Sequence, residues 1–280
     1  MYDELRHLLL IVEHGTFTEA ARHAHLSQPA LSASVRRLEE TFGARLLHRG
    51  RDGARLTAAG EALLPRVRAS LAALDDGRRA VAEVMGLHAG EVRLGAGTTA
   101  TTYLLPPVLA RFRQEHPRIR YLLRETTTDE ALAALERGEL DLAVVTAEGH
   151  EPWVVDELVL VAAPGRRSRS LPFVTLRPGT TTRSLLSTHF PEAEIVMELG
   201  SLSGVKGNVR AGIGMALISR HAVAADLRAR RLVRIRDPRT PLPRPMMLAH
   251  RGVDSLPPAA AALRRLLLSD EGREHLRRRG

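Results

Sequence analysis

Three polar side chains recur at steps of four in the segment 16–42, at Gln28, Ser32 and Arg36. Residues four apart share one face of a helix, so these side chains would form a single polar strip. A glutamine amide can bond an adenine edge through two hydrogen bonds, a serine hydroxyl bonds several base edges, and an arginine suits guanine or phosphate. The strip therefore predicts a helix that reads base edges in DNA, and an ordinary amphipathic helix with a polar outer face is the alternative.

The same segment contains the features that would position such a helix. Thr16 and Glu19 have the spacing of a capping box, which predicts the start of a short first helix. Ser27 and Pro29 are typical of the cap and first turn of a second helix. Leu26 is expected to fill the turn between them. The predicted buried side of the second helix consists of Leu31, Val35, Leu38 and Phe42. Two helices in this arrangement form a helix-turn-helix, whose second helix enters the major groove.

Two short extended runs follow at 46–49 and 54–57, and the residues between them, GRDG, have the composition of a hairpin turn. A basic hairpin directly after a recognition helix is expected to act as a wing. From it, Arg49 and Arg51 would reach backbone phosphates or the minor groove.

Length and composition narrow the class of protein. The 280 residues correspond to about two domains. No apolar run reaches the roughly 18 residues of a membrane helix, and the N-terminus lacks a signal-peptide pattern. The absence of cysteine excludes disulfides and thiol chemistry and favours the cytoplasm. The net charge of +9 fits a polyanionic partner, although a bias in composition explains it equally well. A second basic cluster at 228–244 is interpreted as a solvated surface.

A long helical pattern runs from Thr57 to about Gly86, with apolar residues at alternating steps of three and four. This is the heptad pattern of a coiled coil. Arg78 interrupts the seam, and Pro65 is expected to bend the helix or loosen its first turns. The seam consists of Leu64, Val67, Leu71, Leu74, Val81 and Met85. Dimerisation is the preferred interpretation, and packing on the protein's own domain is the alternative.

From residue 87 onwards short apolar strands alternate with helices, which is typical of an α/β domain. Ligands of such domains lie beyond the carboxyl ends of the strands, near helix N-termini. The predicted loops there are rich in hydroxyl groups, which suit a carboxylate, a phosphate or another small oxyanion. Each threonine could equally cap a helix or belong to a strand. Arg124 and Arg183 are candidates for a fixed charge. The hydroxyl-bearing residues are Thr98, Thr99, Thr101, Thr102, Thr126, Thr127, Thr128, Thr146, Ser201 and Ser203.

Residues 1–60 resemble the winged helix-turn-helix of the LysR-type transcriptional regulators. The resemblance lies in Phe17-Thr18-x-Ala20-Ala21, Leu26-Ser27-Gln28-Pro29-Ala30-Leu31-Ser32, Leu38-Glu39, Gly43-x-x-Leu46-Leu47-x-Arg49 and Leu56-Thr57-x-Ala59-Gly60. The family usually has Phe where Leu47 stands. The rest of the chain is similar to the effector domain of the same family. That similarity lies in Tyr103-Leu-Leu-Pro106, Phe112, His116-Pro117, Gly138-x-Leu140-Asp141-Leu142 and Gly212-Ile-Gly214-Met-Ala-Leu.

The resemblance implies a multidomain α+β protein. Its parts would be an all-α winged helix-turn-helix at 1–58, a dimerisation helix at 59–87 and an α/β effector domain at 88–280. The last part would have the fold of periplasmic solute-binding proteins, with one subdomain at about 90–150 and 240–280 and the other at about 153–235. The expected DNA-contacting residues are Thr18, Ser27, Gln28, Pro29, Ser32, Arg36, Arg49 and Arg51. The implied effector-contacting residues are Thr98, Thr99, Thr127 or Thr128, and Ser201, to which the loop chemistry adds Thr146.

The expected partners are a partly palindromic DNA operator, a small anionic metabolite, further copies of the chain in a homotetramer, and RNA polymerase. Neither a cofactor, a metal nor a membrane is expected. The absence of GxSxG and HExxH motifs and of cysteine argues against an enzyme. A DNA-architectural protein is a third class, but DNA binding alone would not need the long α/β part.

One alternative comes from another class of protein. The sequence Gly95-Ala-Gly-Thr-Thr-Ala100 follows a predicted strand and matches the dinucleotide fingerprint with Ala in the last position. A nicotinamide-dependent enzyme or redox sensor would use these residues, with Glu125 holding the ribose. Glu125 lies farther along than the usual spacing of about 20 residues. Pro106 and Pro107 in the following helix also argue against this alternative.

Overall fold

The computed structural model describes residues 1–50, 53–84, 90–166 and 170–277. For Arg49, residues 83–84 and residues 274–277 it describes the backbone alone. The chain divides into two compact units, one comprising Met1–Val81 and Glu136–Glu139 and the other comprising Ala82–Leu135 and Leu140–Gly280.

The N-terminal unit is a helical domain with one hairpin. The Thr16 hydroxyl caps the second helix by accepting the Glu19 N–H at 3.2 Å, and the Ser27 hydroxyl caps the third by accepting the Ala30 N–H at 3.3 Å. The Glu19 carboxylate pairs with Arg22 at 2.9 Å instead of completing the capping box. The elements are α1 (Tyr2–His14), α2 (Phe17–His23), α3 (Gln28–Phe42), β1 (Leu47–Gly50), β2 (Gly53–Leu56) and α4 (Ala58–Val84).

The core of this unit lies between the first three helices, the hairpin and the start of α4. It contains Leu8, Ile11, Ala20, Ala21, Leu31, Val35, Leu38, Leu46, Leu47, Val67 and Leu71. Two predictions of burial are wrong, because Phe42 is 46% and Leu26 39% exposed. Phe42 is the last residue of α3, and the left-handed Gly43 turns the chain away directly after it. The turn before α3 is closed by the main chain, where the Leu26 N–H donates to the Ala21 carbonyl at 2.9 Å.

The long helix α4 continues through Pro65. Its apolar stripe has two environments. Val67 and Leu71 are buried in the core of their own unit, as the alternative interpretation expected for them. Val67 therefore has no free surface for a second chain, which corrects its assignment to a dimer seam. Leu74 and Val81 are 51% and 64% exposed. Met85 lies outside the described residues.

The second unit alternates strands and helices. A π-helical turn at Ala100–Leu104 precedes its first helix. The strands are β3 (Glu91–Ala96), β4 (Arg120–Glu125), β5 (Leu142–Val145), β6 (Glu151–Ala162), β7 (Phe173–Leu176), β8 (Ile195–Leu199), β9 (Ala216–Ser219), β10 (Val233–Arg234) and β11 (Leu242–Ala249). The helices are α5 (Leu105–Glu115), α6 (Thr128–Glu136), α7 (Thr181–His189), α8 (Leu202–Arg210), α9 (Arg220–Arg228), α10 (Pro258–Leu268) and α11 (Asp270–Arg277).

The second unit has two lobes that share one pair of long strands. We call β3–β5 with α5, α6, α10 and α11 lobe I, and β7–β10 with α7–α9 lobe II. In lobe I, β3 runs parallel to β4 and β5. The long strands β6 and β11 are antiparallel to each other and belong to both lobes. Trp153 and Met246 on these strands lie in the core of lobe I, whereas Leu158 and Leu242 lie in the core of lobe II.

Candidate functional site

The exposed face of α3 carries most of the predicted base-reading residues. Gln28, Pro29 and Arg36 are exposed, as is Thr18 on α2. Ser32 is only 9% exposed because it lies at the border of the stripe that packs on the core, and its base-reading role stays a prediction.

Sequence reasoning overlooked other residues of the exposed face of α3. Ala30 and Ala33 are exposed there, and small apolar side chains of this kind suit thymine methyl groups. Arg37 is exposed too, but its guanidinium donates to Glu4 at 3.3 Å.

The hairpin that follows α3 is the predicted wing. Leu47 pairs with Leu56 and Gly50 with Gly53 across its two antiparallel strands. Arg51 lies outside the described residues, and only the backbone of Arg49 is described. The structure therefore gives no position for either predicted phosphate-contacting side chain.

A buried carboxylate joins the wing to α3. Glu39 is 6% exposed and accepts the N–H groups of Leu46 at 2.8 Å and Leu47 at 3.3 Å. Arg45 also donates to it at 3.3 Å. Sequence reasoning did not assign this role, although an acid beside the apolar Leu38 of the helix was a visible signal.

A cleft of about 830 Å³, partly open to solvent, lies in the second unit. Its walls come from the loops after β3, β4 and β5 in lobe I and from the start of α7 in lobe II. Nine threonines line it: Thr98, Thr99, Thr126, Thr127, Thr128, Thr146, Thr180, Thr181 and Thr182. Five of these are predicted effector residues. The sixth, Ser201, caps α8 by accepting the Gly204 N–H at 3.1 Å, and its neighbour Gly200 lines the cleft instead.

Sequence reasoning did not include Thr180, Thr181 and Thr182 in the site. Thr180 caps α7, where its hydroxyl accepts the Arg183 N–H. A run of threonines after the turn at Gly179 was the only local signal for this helix start. The Thr181 hydroxyl meets that of Thr146 at 2.8 Å, which in turn lies 3.0 Å from the Thr128 hydroxyl. A chain of hydroxyl groups therefore joins lobe I to lobe II across the cleft.

A buried arginine makes the second connection across the cleft. Arg244 on β11 donates to the hydroxyls of Thr99 in lobe I, at 3.1 Å, and Thr182 in lobe II, at 2.9 Å. Its charge is balanced by Asp156 on β6, which lies directly opposite in the strand register and 2.6 Å away. The side chains of Arg244 and Asp156 are 6% and 0% exposed. Sequence reasoning missed Asp156, and its interpretation of the cluster 228–244 as a solvated surface is wrong for the buried Arg244.

The charges of the cleft differ from those predicted. Arg183 donates to Glu198 at 3.1 Å, and neither Arg183 nor Arg124 is among the residues that line the cleft. Arg177 lines it, is exposed, and lies within 4 Å of no carboxylate of the described residues. Near it, the Thr127 N–H donates to Glu130 at 2.8 Å, which lowers the pKa of that carboxyl. Glu125 accepts the hydroxyls of Thr98 and Thr101 at 3.2 Å each.

A winged helix-turn-helix followed by a two-lobed domain with a polar cleft defines a class of DNA-binding proteins that sense a ligand. The comparisons agree. The family model "Bacterial regulatory helix-turn-helix protein, lysR family" matches residues 2–61, and "LysR substrate binding domain" matches residues 85–271. The chain belongs to the LysR family of transcriptional regulators.

Individual relatives carry the same kind of name. A RuBisCO operon transcriptional regulator from Allochromatium vinosum is 30% identical over 295 residues, which cover 98% of this chain and 97% of that protein. A probable RuBisCO transcriptional regulator from Trichormus variabilis is 31% identical over 252 residues, covering 80% of this chain and 75% of that protein. Full-length LysG from Corynebacterium glutamicum, solved with a bound arginine effector, has a TM-score of 0.68 at 21% identity and covers 98% of both chains.

These findings establish a DNA-binding regulator with an effector domain, as the resemblance implied. They give no support to the dinucleotide-binding alternative. Among the described residues, no helix combines the length and apolar character that crossing a membrane requires.

Proposed function

We propose that this regulator responds to a small metabolite with an oxyanion group, such as a carboxylate, a phosphate or a sulfur oxyanion, bound in the cleft of the effector domain. The observation that carries the proposal is the lining of nine threonines beside Arg177, which forms no ion pair with any carboxylate in the described part of the chain. Hydroxyl groups donate hydrogen bonds to oxyanions, and an arginine adds a charge-assisted bond. The N-termini of α6 and α7 open onto the same space, and their dipoles favour an anion there.

The hydroxyl bonds between the lobes supply a mechanism. A ligand that takes up Thr99, Thr146 or Thr181 would replace bonds that now join lobe I to lobe II. The ligand would then shift the equilibrium between the arrangements of the two lobes. The size of the shift is set by how much better the ligand binds one arrangement than the other. We propose that this shift acts in a homotetramer on a partly palindromic operator in the cytoplasm, and that it changes contact with RNA polymerase.

Arg177→Gln is expected to weaken binding of the matching oxyanion roughly 10- to 100-fold, the equivalent of one lost charge-assisted hydrogen bond. The full-length protein would first be screened by thermal shift against small carboxylates, phosphates and sulfur oxyanions, and affinities then measured by calorimetry. Arg118→Gln, an exposed arginine that does not line the cleft, is the control and should leave affinity unchanged. Stabilisation by neutral or cationic compounds only would refute the oxyanion assignment.

We propose that Gln28 reads a base. Gln28→Ala should cost about 1–3 kcal/mol on the operator and relax the sequence preference at one position. Binding to a set of operators with single substitutions measures this. Thr41→Ala, at the far end of the same helix, is the control. If Gln28→Ala weakens binding to every sequence equally, its role is not base reading.

We propose that the exposed part of α4 pairs with a second copy. Leu74→Asp with Val81→Asp should shift the protein towards the monomer in sedimentation, because both side chains are exposed in the single chain. Val67→Ala should behave differently, lowering stability through a cavity in its own core while leaving the association state intact. An unchanged sedimentation profile for the double variant would place the dimer contact elsewhere.

A further inference from the structure

A second groove lies on lobe II beside β10, and the effector cleft shares no lining residue with it. It is a groove open to solvent, not an enclosed pocket. Sites for small molecules surround most of the ligand's surface. The open shape of this groove therefore suits an extended partner.

The rim of the groove is positively charged. The segment 228–239 contains six arginines and one acid, Asp237. Arg231 is paired with Asp226, and Arg239 with Asp237. The exposed residues Arg228, Arg230 and Arg234 form no ion pair with any carboxylate that the structure describes, and the last two line the groove. The rim thus complements an acidic partner.

The floor of the groove is apolar. Leu232 and Ile235 are buried beneath it, and Leu227 and Val233 are half-buried along it. A row of phosphates would satisfy the arginines but leave this floor in contact with water. A chain that carries both acidic and apolar side chains would satisfy both features.

The groove also contains a free sheet edge. β10 is the last strand of the sheet and pairs with β6 alone, where the Ile235 N–H donates to the Leu160 carbonyl at 2.9 Å. Because successive residues of a strand direct their N–H and C=O groups to opposite edges, those of Arg234 point away from β6. No main-chain group in the described part of the chain bonds them there. An edge of this kind accepts an added strand.

We propose that this groove binds an extended polypeptide with alternating acidic and apolar side chains, which adds to the free edge of β10 as a further strand. The acidic side chains would meet Arg230 and Arg234, and the apolar ones would lie on the floor at Leu227 and Val233. This is a protein-docking surface, and it does not depend on the ligand of the effector cleft.

The test measures fluorescence anisotropy of a labelled peptide of alternating Glu and Val, about ten residues long, the length of a long strand. Full-length protein should bind it and should not bind a peptide of alternating Lys and Val. Methylation of alternate peptide nitrogens should abolish binding, because it removes the main-chain donors of the added strand. Equal binding of the methylated peptide would overturn strand addition, and no binding of the Glu-Val peptide would overturn the proposal altogether.

The variant Arg230→Gly with Arg234→Gln should weaken peptide binding roughly tenfold or more, because two charge-assisted contacts are lost. Arg230 has a left-handed φ of 53°, which glycine adopts freely, so the first substitution preserves the fold. If the double variant does not fold, the single variant Arg230→Gly serves as the second test. Arg113→Gln with Arg118→Gln, which removes the same charge from lobe I, should bind normally. If the groove variant loses affinity for a non-operator DNA duplex but keeps the peptide, the groove is a nucleic-acid surface and the proposal fails.

Discussion

Arg244→Ala is expected to lower the free energy of unfolding of the effector domain by about 3–5 kcal/mol, the typical effect of breaking a buried ion pair. The substitution would leave Asp156, which is fully buried, without its cation. The Ser219 hydroxyl donates to the other carboxylate oxygen of Asp156 at 2.8 Å, but it cannot neutralise the charge. The hydroxyls of Thr99 and Thr182 would lose their donor at the same time.

Urea denaturation of the full-length protein measures this effect, and hydrogen exchange assigns it to the effector domain. Arg220→Ala is the matched control, because Arg220 pairs with Glu157 at 2.9 Å near the surface and both side chains are about 40% exposed. That pair should contribute no more than about 1 kcal/mol. If both substitutions lower the free energy of unfolding by the same amount, the buried Arg244–Asp156 pair does not hold the two lobes together.

Glu39→Ala is expected to destabilise the DNA-binding unit by about 2–6 kcal/mol, because two buried N–H groups lose their acceptor and each costs about 1–3 kcal/mol. The groups concerned belong to Leu46 and Leu47, where the wing begins. With no carboxylate to bind them, the wing loses its fixed position relative to α3. DNA affinity should therefore fall even at temperatures at which the variant remains folded.

Glu40→Ala provides the comparison for Glu39. Glu40 is the exposed neighbour on the same helix, and its loss should change stability by no more than about 0.5 kcal/mol. Thermal unfolding and operator binding of the two variants can be measured side by side. Normal DNA binding by Glu39→Ala would show that the wing is held by other contacts.

The DNA-binding unit was largely predictable because its signals are local. The hydroxyls of Thr16 and Ser27 cap helices where the sequence placed them, and Leu31, Val35 and Leu38 are buried as their spacing predicts. Predictions failed at the ends of elements. Phe42 and Leu26 fit the apolar pattern but lie where a helix stops or a turn closes, so the core does not reach them.

The cleft was predictable only in part. Thr98, Thr99, Thr127, Thr128 and Thr146 follow strands of lobe I, and the rule that ligands lie beyond strand ends predicted their position in a cleft. The threonines of α7 come from lobe II, and no local rule places them opposite lobe I. Thr181 and Thr146 are far apart in sequence, and only the tertiary fold brings their hydroxyl groups together.

The predicted base-reading strip of α3 shows the same division. Periodicity by itself determined that Gln28 and Arg36 share the outer face of a helix, because a helix has a fixed rotation per residue. The tertiary structure decided that Ser32 lies at the buried border, that Val67 belongs to the core and not to a seam, and that Arg244 meets Asp156. These outcomes depend on which elements, distant in sequence, pack against each other in the folded chain. The residue pattern of one element determines which of its faces is apolar, but not which other element packs on that face.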